Sequence, residues 1–348
     1  MPRVWDIPVH DSTRVRDARV AAEEAAALAE LDESRTAVTA LVATELATNL
    51  LKHGGGGRLL VDVVAPPSGR AGVVVQIAAV DHGPGIDDVR AALGDGFSTT
   101  GSLGAGLGTC RRVADDFDLH SVPGRGTVAL ARVGAILPRS YTRDPLPARA
   151  GGVNVPFGGD AFSGDAWTFV RAEDRLTLML ADGLGHGPEA ARASTAAVEE
   201  VHRSAGLRPA EVLRRLDGAL RGTRGAAVAL AQLDVRTGRL RFAGIGNVGA
   251  RLREGDTWRH LLSRPGIVGV HRPSSLPETE AAWGPDRLLV LHSDGLPSRW
   301  APPSDPRLPA ADPAVTAAVT VRDASSSARP VRDDTAVAVL SPTPPDRP

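Results

Sequence analysis

Residues 72–85, Gly72-Val-Val-Val-Gln-Ile-Ala-Ala-Val-Asp-His-Gly-Pro-Gly85, form a Val-rich run to Val80 that stops at a carboxylate and two glycines. The run reads as a strand. The glycines let the chain turn and approach a ligand closely, so Asp81 at the strand end can accept a hydrogen bond from an exocyclic amine such as that of adenine. Towards the N-terminus, Arg58 to Ala65 is a second strand candidate, and Val15 to Leu31 and Arg35 to His53 read as helices, the latter with apolar Val38, Leu41, Val42, Leu46 and Leu50. Glu45 and Asn49 stand four residues apart and project from one face beside that stripe. Towards the C-terminus, Gly101-Ser-Leu-Gly104-Ala-Gly106-Leu-Gly108 opens into a helix from about Gly106 to Asp116, whose first amides and dipole favour an anion such as phosphate. Strands near Asp118 to Val122 and Thr127 to Val133 follow. Helices on one face of a mixed sheet predict a two-layer sandwich.

Two common nucleotide folds are excluded by spelling. A Walker A loop needs Gly-Lys before Ser or Thr, whereas the sole lysine, Lys52, lies between Leu51 and His53. A Rossmann fingerprint needs its glycines directly after a strand, and this glycine loop begins well beyond Val80. Of the two residues at the helix end, Lys52 reads as a solvated cation with a phosphate contact as the alternative, and His53 as a cap on helix carbonyls.

Glu45-Leu-Ala-Thr-Asn49, Asp81-His-Gly83-Pro-Gly85, Gly104-Ala-Gly106-Leu-Gly108 and Gly124-Arg-Gly-Thr127 together resemble, in order, the boxes of the GHKL ATPase/kinase superfamily, the Bergerat fold, over about residues 10 to 135. Asp95-Gly-Phe-Ser-Thr-Thr-Gly-Ser-Leu-Gly104 is similar to the small serine kinases of the anti-sigma and stressosome-switch type, the RsbT kind. The resemblance implies ATP with Mg²⁺ as cofactor, Glu45 as general base, Asn49 on the Mg²⁺, Asp81 on adenine N6, and Gly83, Gly85, Gly104, Gly106, Gly108 and Thr127 completing the pocket.

The remainder of the chain carries a different chemistry. Pro138 to Gly152 has three prolines and no apolar period and reads as a connector, placed at 138–150 between domains at 1–137 and 151–342. Beyond it, strands at Ala166 to Val170 and Arg175 to Ala181 precede helices at Pro188 to Ser204 and Pro209 to Arg221. Strands at Ala226 to Val235, Arg239 to Ile245, Asp286 to His292 and Thr335 to Leu340 follow, and Pro297 to Pro313, with six prolines, reads as a long loop that shapes substrate access. The whole chain is therefore expected to be α+β with two domains.

Carboxylates stand at or beside the strand ends of this second part, in Ser163-Gly-Asp165, Ala181-Asp182-Gly183-Leu-Gly-His186-Gly187, Ser293-Asp294-Gly295 and Asp333-Asp334-Thr335. Aspartates beside glycines are ordinary turn formers. Two of these, however, close apolar strands as Leu178-Met-Leu-Ala-Asp182 and Leu289-Val-Leu-His-Ser-Asp294. Convergent hard oxygens bind Mg²⁺ or Mn²⁺, and a two-metal site activates water for in-line attack on phosphorus. The set resembles the SpoIIE-like branch of the metal-dependent PP2C phosphatases, within it the RsbX kind, over about residues 151 to 342. The resemblance implies an α/β-β/α sandwich and two Mg²⁺ or Mn²⁺ held by Asp165, Asp182, the Gly183 carbonyl, Asp294 and Asp333, with Asp334 as an alternative to Asp333. His186 is expected to orient its loop, and Asn247 to be a structural turn residue.

Composition narrows the partners. The 348 residues hold 40 basic and 41 acidic side chains, a formal charge of -1, so no basic field attracts nucleic acid or an anionic membrane. Aromatic residues are 3%, too few for stacking platforms, and the single cysteine, Cys110, rules out an intrachain disulfide. Met1 to His10 lacks a signal-peptide pattern and no stretch is apolar enough to span a bilayer, which predicts a cytoplasmic protein. The two resemblances imply a switch kinase fused to a protein phosphatase with opposed actions on phosphoserine or phosphothreonine. Their implied substrates are STAS-domain antagonist or stressosome-like proteins, with a sigma factor or downstream phosphatase beyond them and a homodimer through the first domain. A catalytically silent ATP-sensing or anti-sigma binding module that regulates the phosphatase is the alternative.

Overall fold

The computed structural model describes residues 3–67, 72–94, 106–135, 147–325, 331 and 333–344. The chain divides into two compact units, Val4–Val64 with Gly72–Arg143, and Asp144–Pro348 with the short segments Met1–Arg3 and Ala65–Ala71. Among the described residues no helix is long and apolar enough to cross a membrane.

The first unit runs β1 (Trp5–Val9), α1 (Ser12–Leu28), α2 (Glu33–His53), β2 (Gly57–Val64), β3 (Val74–Val80), the single turn α3 (Val89–Ala92), α4 (Gly106–Val113), β4 (Asp116–Val122) and β5 (Gly126–Gly134). Both long helices start on an aspartate: Asp11 accepts from the Thr13 and Arg14 amides, and Asp32 from the Arg35 amide, caps worth about 1 kcal/mol each. The sheet order is β1-β2-β3-β5-β4. All four ladders are antiparallel, which corrects the expected mixed sheet. The reason is topological. The crossover through α4 leaves β4 parallel in sense to β3, but β5, the returning arm of the β4–β5 hairpin, is the strand laid beside β3. Alternate residues of the sheet, Leu59, Val61, Val75, Ile77, Ala131 and Val133, pack against Ala18, Ala22, Val42, Leu46 and Leu50 of the helices. This is the two-layer sandwich.

The second unit begins with β6 (Ala148–Val155), a 3₁₀ turn (Phe157–Gly159), β7 (Asp165–Ala172), β8 (Arg175–Gly183), α5 (Pro188–Arg203) and α6 (Pro209–Ala219). It continues with β9 (Ala226–Asp234), β10 (Arg239–Ile245), β11 (Gly249–Glu254), β12 (Thr257–Leu261), β13 (Thr279–Ala282), β14 (Leu288–His292), α7 (Pro313–Ala324) and β15 (Thr335–Pro342). One sheet has the order β13-β10-β9-β8-β7 and the other β12-β11-β14-β15-β6. Their inner faces meet through Phe169, Leu178, Leu180, Phe242, Leu252, Leu289, Leu291 and Leu340, while α5 and α6 cover the outside of the first sheet and α7 packs on β6 and β15 of the second. The layers are thus α/β-β/α.

β6 opens at Ala148, inside the stretch marked as connector by its prolines; residues 136–146 lie outside the described residues. Its small residues are a packing requirement. A Cβ on Gly151 would lie 2.8 Å from the Ala314 amide of α7, and one on Gly152 would lie 2.6 Å from the Val337 carbonyl and 2.8 Å from the Trp167 ring. The proline-rich stretch ends in α7, whose residues Pro313 to Arg322 are all buried. A helix covered on every side shows no polar face, so periodicity does not reveal it.

Candidate functional site

In the first unit, α2 presents Glu45 and Asn49 towards the start of α4. A Cβ on Gly106 would lie 3.1 Å from both terminal atoms of the Asn49 amide and 3.4 Å from Glu45 Oε2. The Asn49 Nδ2 is buried and makes no hydrogen bond among the described residues, so one donor of a polar pair is held ready beside a glycine-opened space. Beneath them, Cys110 of α4 is fully buried, and burial first and the Glu45 carboxylate second push its thiol up to about 12.

Asp81 closes β3 at 7% exposure. Its Oδ1 accepts from the Gly83 amide at 2.8 Å and the Thr127 amide at 3.0 Å, and its own amide donates to the Thr127 carbonyl. Glycines make this approach possible. A Cβ on Gly126 would fall 2.1 Å from the Asp81 carbonyl, and one on Gly83 would fall 2.5 Å from the Gly54 carbonyl. Gly85 takes a left-handed φ of 74° against the Val122 carbonyl. The Thr127 hydroxyl lies 2.9 Å from that of Ser121, whose oxygen also accepts from the Ile86 amide, a support that sequence reading missed. Gly108 is buried in α4, where a Cβ would make only ordinary contact at 3.5 Å. Gly104, with the whole of 95–105, lies outside the described residues. His53 is exposed and makes no hydrogen bond among the described residues, which corrects its reading as a cap; the Leu50 carbonyl accepts instead from the Gly54 and Gly56 amides.

In the second unit the β7–β8 register sets Asp165 directly opposite Asp182. Asp165 is buried and Asp182 half-buried, and one carboxylate oxygen of each, Oδ2, is buried without a partner. Burial, then the Asp182 carboxylate, raises the Asp165 pKa well above the usual range, with Ser293 and the Ala336 amide acting in the opposite sense. Asp182 is pushed up to about 7, by burial first and then by the carboxylates of Asp294, Asp333 and Asp334. Opposed carboxylates with bare oxygens are electrostatically incomplete, and a hard cation is the chemistry that completes them. Among the described residues, no three acidic, histidine or cysteine side chains are already drawn onto one point.

The surrounding groups sort the neighbours. Asp334 accepts from the Phe157 amide on Oδ1 and the Gly164 amide on Oδ2, both at 2.7 Å, so its oxygens are committed to the β6–β7 connection. Asp333 beside it is exposed. The backbone of Asp165 is tied by Asn154, whose amide donates to its carbonyl at 2.7 Å, and by the Ser163 hydroxyl, which accepts from its amide. Asn154 carried no sequence signal because it sits in a strand of small residues. Gly183 has no room for a side chain: a Cβ would lie 2.3 Å from the Ala190 carbonyl. Asn247 donates its amide to the Asp294 carboxylate, which corrects its reading as a turn residue alone. His186 is exposed and makes no hydrogen bond among the described residues.

Residues 9–132 match the histidine kinase-like ATPase domain family, and residues 172–342 match the family of Stage II sporulation protein E (SpoIIE). The chain is a two-domain α+β protein with a HATPase_c-like N-terminal domain and a SpoIIE-like C-terminal domain. The first domain has homology to the serine/threonine-protein kinase RsbT of Bacillus subtilis (strain 168), at 46% identity over 84 residues, 24% of this chain. The second has homology to the phosphoserine phosphatase RsbX of the same organism, at 26% identity over 141 residues, 40% of this chain and 69% of that phosphatase. The match spans 61% of the kinase's length. Among solved structures, the PP2C phosphatase domain with a fragment of the regulatory domain of SpoIIE from Bacillus subtilis aligns over 96% of this chain and 98% of that one, at 15% identity and a TM-score of 0.49.

Proposed function

We propose that the chain is a bifunctional partner-switching regulator: an ATP-dependent protein serine/threonine kinase joined to a Mg²⁺- or Mn²⁺-dependent phosphoserine/phosphothreonine phosphatase. The observation that carries the phosphatase reading is the Asp165–Asp182 pair, opposed across one ladder with a bare buried oxygen on each. For the kinase it is the Glu45 carboxylate and the unpartnered Asn49 amide meeting at Gly106.

In the first domain Asp81 would accept the adenine amine, Asn49 would hold the Mg²⁺ that accompanies ATP, and Gly83, Gly85, Gly104, Gly106, Gly108 and Thr127 would line the nucleotide. Glu45 would take the proton from the attacking serine or threonine hydroxyl. In the second domain Asp165, Asp182, the Gly183 carbonyl, Asp294 and Asp333 would hold two cations, with Asp334 fixing the loop that positions Asp165 and Asn247 orienting Asp294. The cations, when bound, supply charge neutralisation at the phosphoryl group and an activated water. The domain boundaries proposed are 1–137 and 151–342. STAS-domain antagonist or stressosome-like proteins are the proposed substrates of both activities, in the cytoplasm, with control of a sigma factor downstream; the names of the two relatives support this reading.

The test uses γ-labelled ATP, Mg²⁺ and a STAS-domain protein from the same organism, with the Asp182→Asn/Asp294→Asn double variant so that the second domain does not remove the label. Label should appear on the partner, vanish when Glu45→Ala is added, and be released by wild-type chain with Mn²⁺. ATP binding without transfer to any of several partners would sink the kinase and leave a nucleotide-regulated phosphatase.

A further inference from the structure

A pocket of about 400 Å³ opens beside the carboxylate cluster, sharing Asn247 and Asp294 with it. Its walls come from the β11–β12 hairpin, the end of β14 and the first part of the proline-rich stretch. Four arginines border this hairpin. Arg253 pairs with Asp256, and Arg259 and Arg287 both pair with Glu254. Arg251 has no carboxylate partner and no hydrogen bond among the described residues; its guanidinium lies 5.2 Å from the ring centre of Trp300. Trp300 is buried to 8% exposure and is held edge-on by His292, with ring centres 4.8 Å apart at 77°. The cation is therefore oriented by a fixed aromatic face while its donors are unused. Leu262 stands at the lip, 81% exposed.

A planar guanidinium with free donors matches a carboxylate in a two-point hydrogen bond, and a pocket of this size holds one or two side chains rather than a folded domain. Arginine keeps its charge at neutral pH, and among the described residues no carboxylate meets that of Arg251. Resting on the phosphatase reading of the neighbouring carboxylates, we propose that this pocket is a substrate subsite in which Arg251, backed by Trp300, takes an acidic side chain flanking the phosphorylated residue of the protein substrate. Leu262 would cover the apolar part of the same segment.

The test compares two capped peptides, Ala-Glu-phosphoserine-Glu-Ala and its twin with Gln for both Glu, on the full chain. With Mn²⁺, the acidic peptide should have a KM at least fivefold lower. Arg251→Gln should abolish that difference while its rate on p-nitrophenyl phosphate stays within twofold of wild type. A readout free of turnover is the indole N–H resonance of Trp300, assigned by its loss in Trp300→Phe. It should shift with the unphosphorylated acidic peptide and stay in place with the Gln twin or with inorganic phosphate. Equal KM values for the two peptides on wild-type protein, or a Trp300 resonance that follows phosphate and not the acidic peptide, would overturn the subsite. If neither phosphopeptide is hydrolysed and the indole still distinguishes the unphosphorylated pair, the phosphatase reading fails and the Arg251 subsite stands.

Discussion

Cys110 shows how a residue's chemistry is set by its neighbours. As the only thiol of the chain, fully buried and pushed up to about 12 by burial and by Glu45, it stays neutral at physiological pH and out of reach of reagents. Ellman's reagent at pH 8 should therefore titrate no thiol in the native protein and one after denaturation; rapid native reaction would show that α4 opens or is packed differently. His292 makes the opposite kind of statement about pH. Burial pushes it down to about 4, its Nδ1 lies 3.0 Å from the Ser293 carbonyl, and a Cβ on Gly249 would lie 2.2 Å from its Nε2. In the unfolded chain the ring titrates near 6.5. Below that pH the unfolded state takes a proton that the folded state refuses, so stability falls as pH drops from about 6.5 to 4. On lowering the pH from 7 to 5, the unfolding free energy measured in urea should fall by up to about 2 kcal/mol more in wild-type protein than in His292→Gln. Parallel pH profiles would refute the burial argument.

At the scale of elements, glycine separates two opposite cases. Gly152 of β6 has the Val337 carbonyl and the Trp167 ring where a side chain would go, whereas Gly218 of α6 is exposed with nothing within 4 Å. Gly152→Ala should destabilise the second unit by about 1–3 kcal/mol. Gly218→Ala should stabilise by about 0.5–1 kcal/mol. Chemical denaturation followed by tryptophan fluorescence measures both, and equal signs would contradict the packing described. The same physics explains which elements were legible. α2 carries an apolar stripe, and β3 and β8 are runs of Val, Leu, Ile and Ala that end in aspartate, so all three read directly. β6 is Ala-Arg-Ala-Gly-Gly at its start, α7 is buried on all sides, and in β11 and β12 the apolar alternation is broken by arginines, of which Arg253 and Arg259 meet Asp256 and Glu254. Short β1 became a strand only by pairing with β2.

At the scale of the molecule, the two carboxylate chemistries sit in separate units, each with its own core. Glu45→Gln should abolish transfer from ATP and leave Mn²⁺-dependent phosphate release within twofold, and Asp182→Asn should do the reverse. Loss of both activities in either variant would show that the sites depend on one another. The sequence alone determined the two-part α+β organisation, the strand-end position of Asp81, Asp182 and Asp294, and the pairing of Glu45 with Asn49, because each is a matter of local periodicity, glycine content or helical spacing. Only the tertiary structure decided the rest: that β5 lies beside β3, that Asp165 faces Asp182, that Asp334 is buried on the Phe157 and Gly164 amides while Asp333 is exposed, that Asn247 reaches Asp294, and that Arg251 has no counter-charge among the described residues. These are relations between residues 17 to 177 positions apart in the chain, created by strand order and register, and no local pattern encodes which distant donor will meet which acceptor.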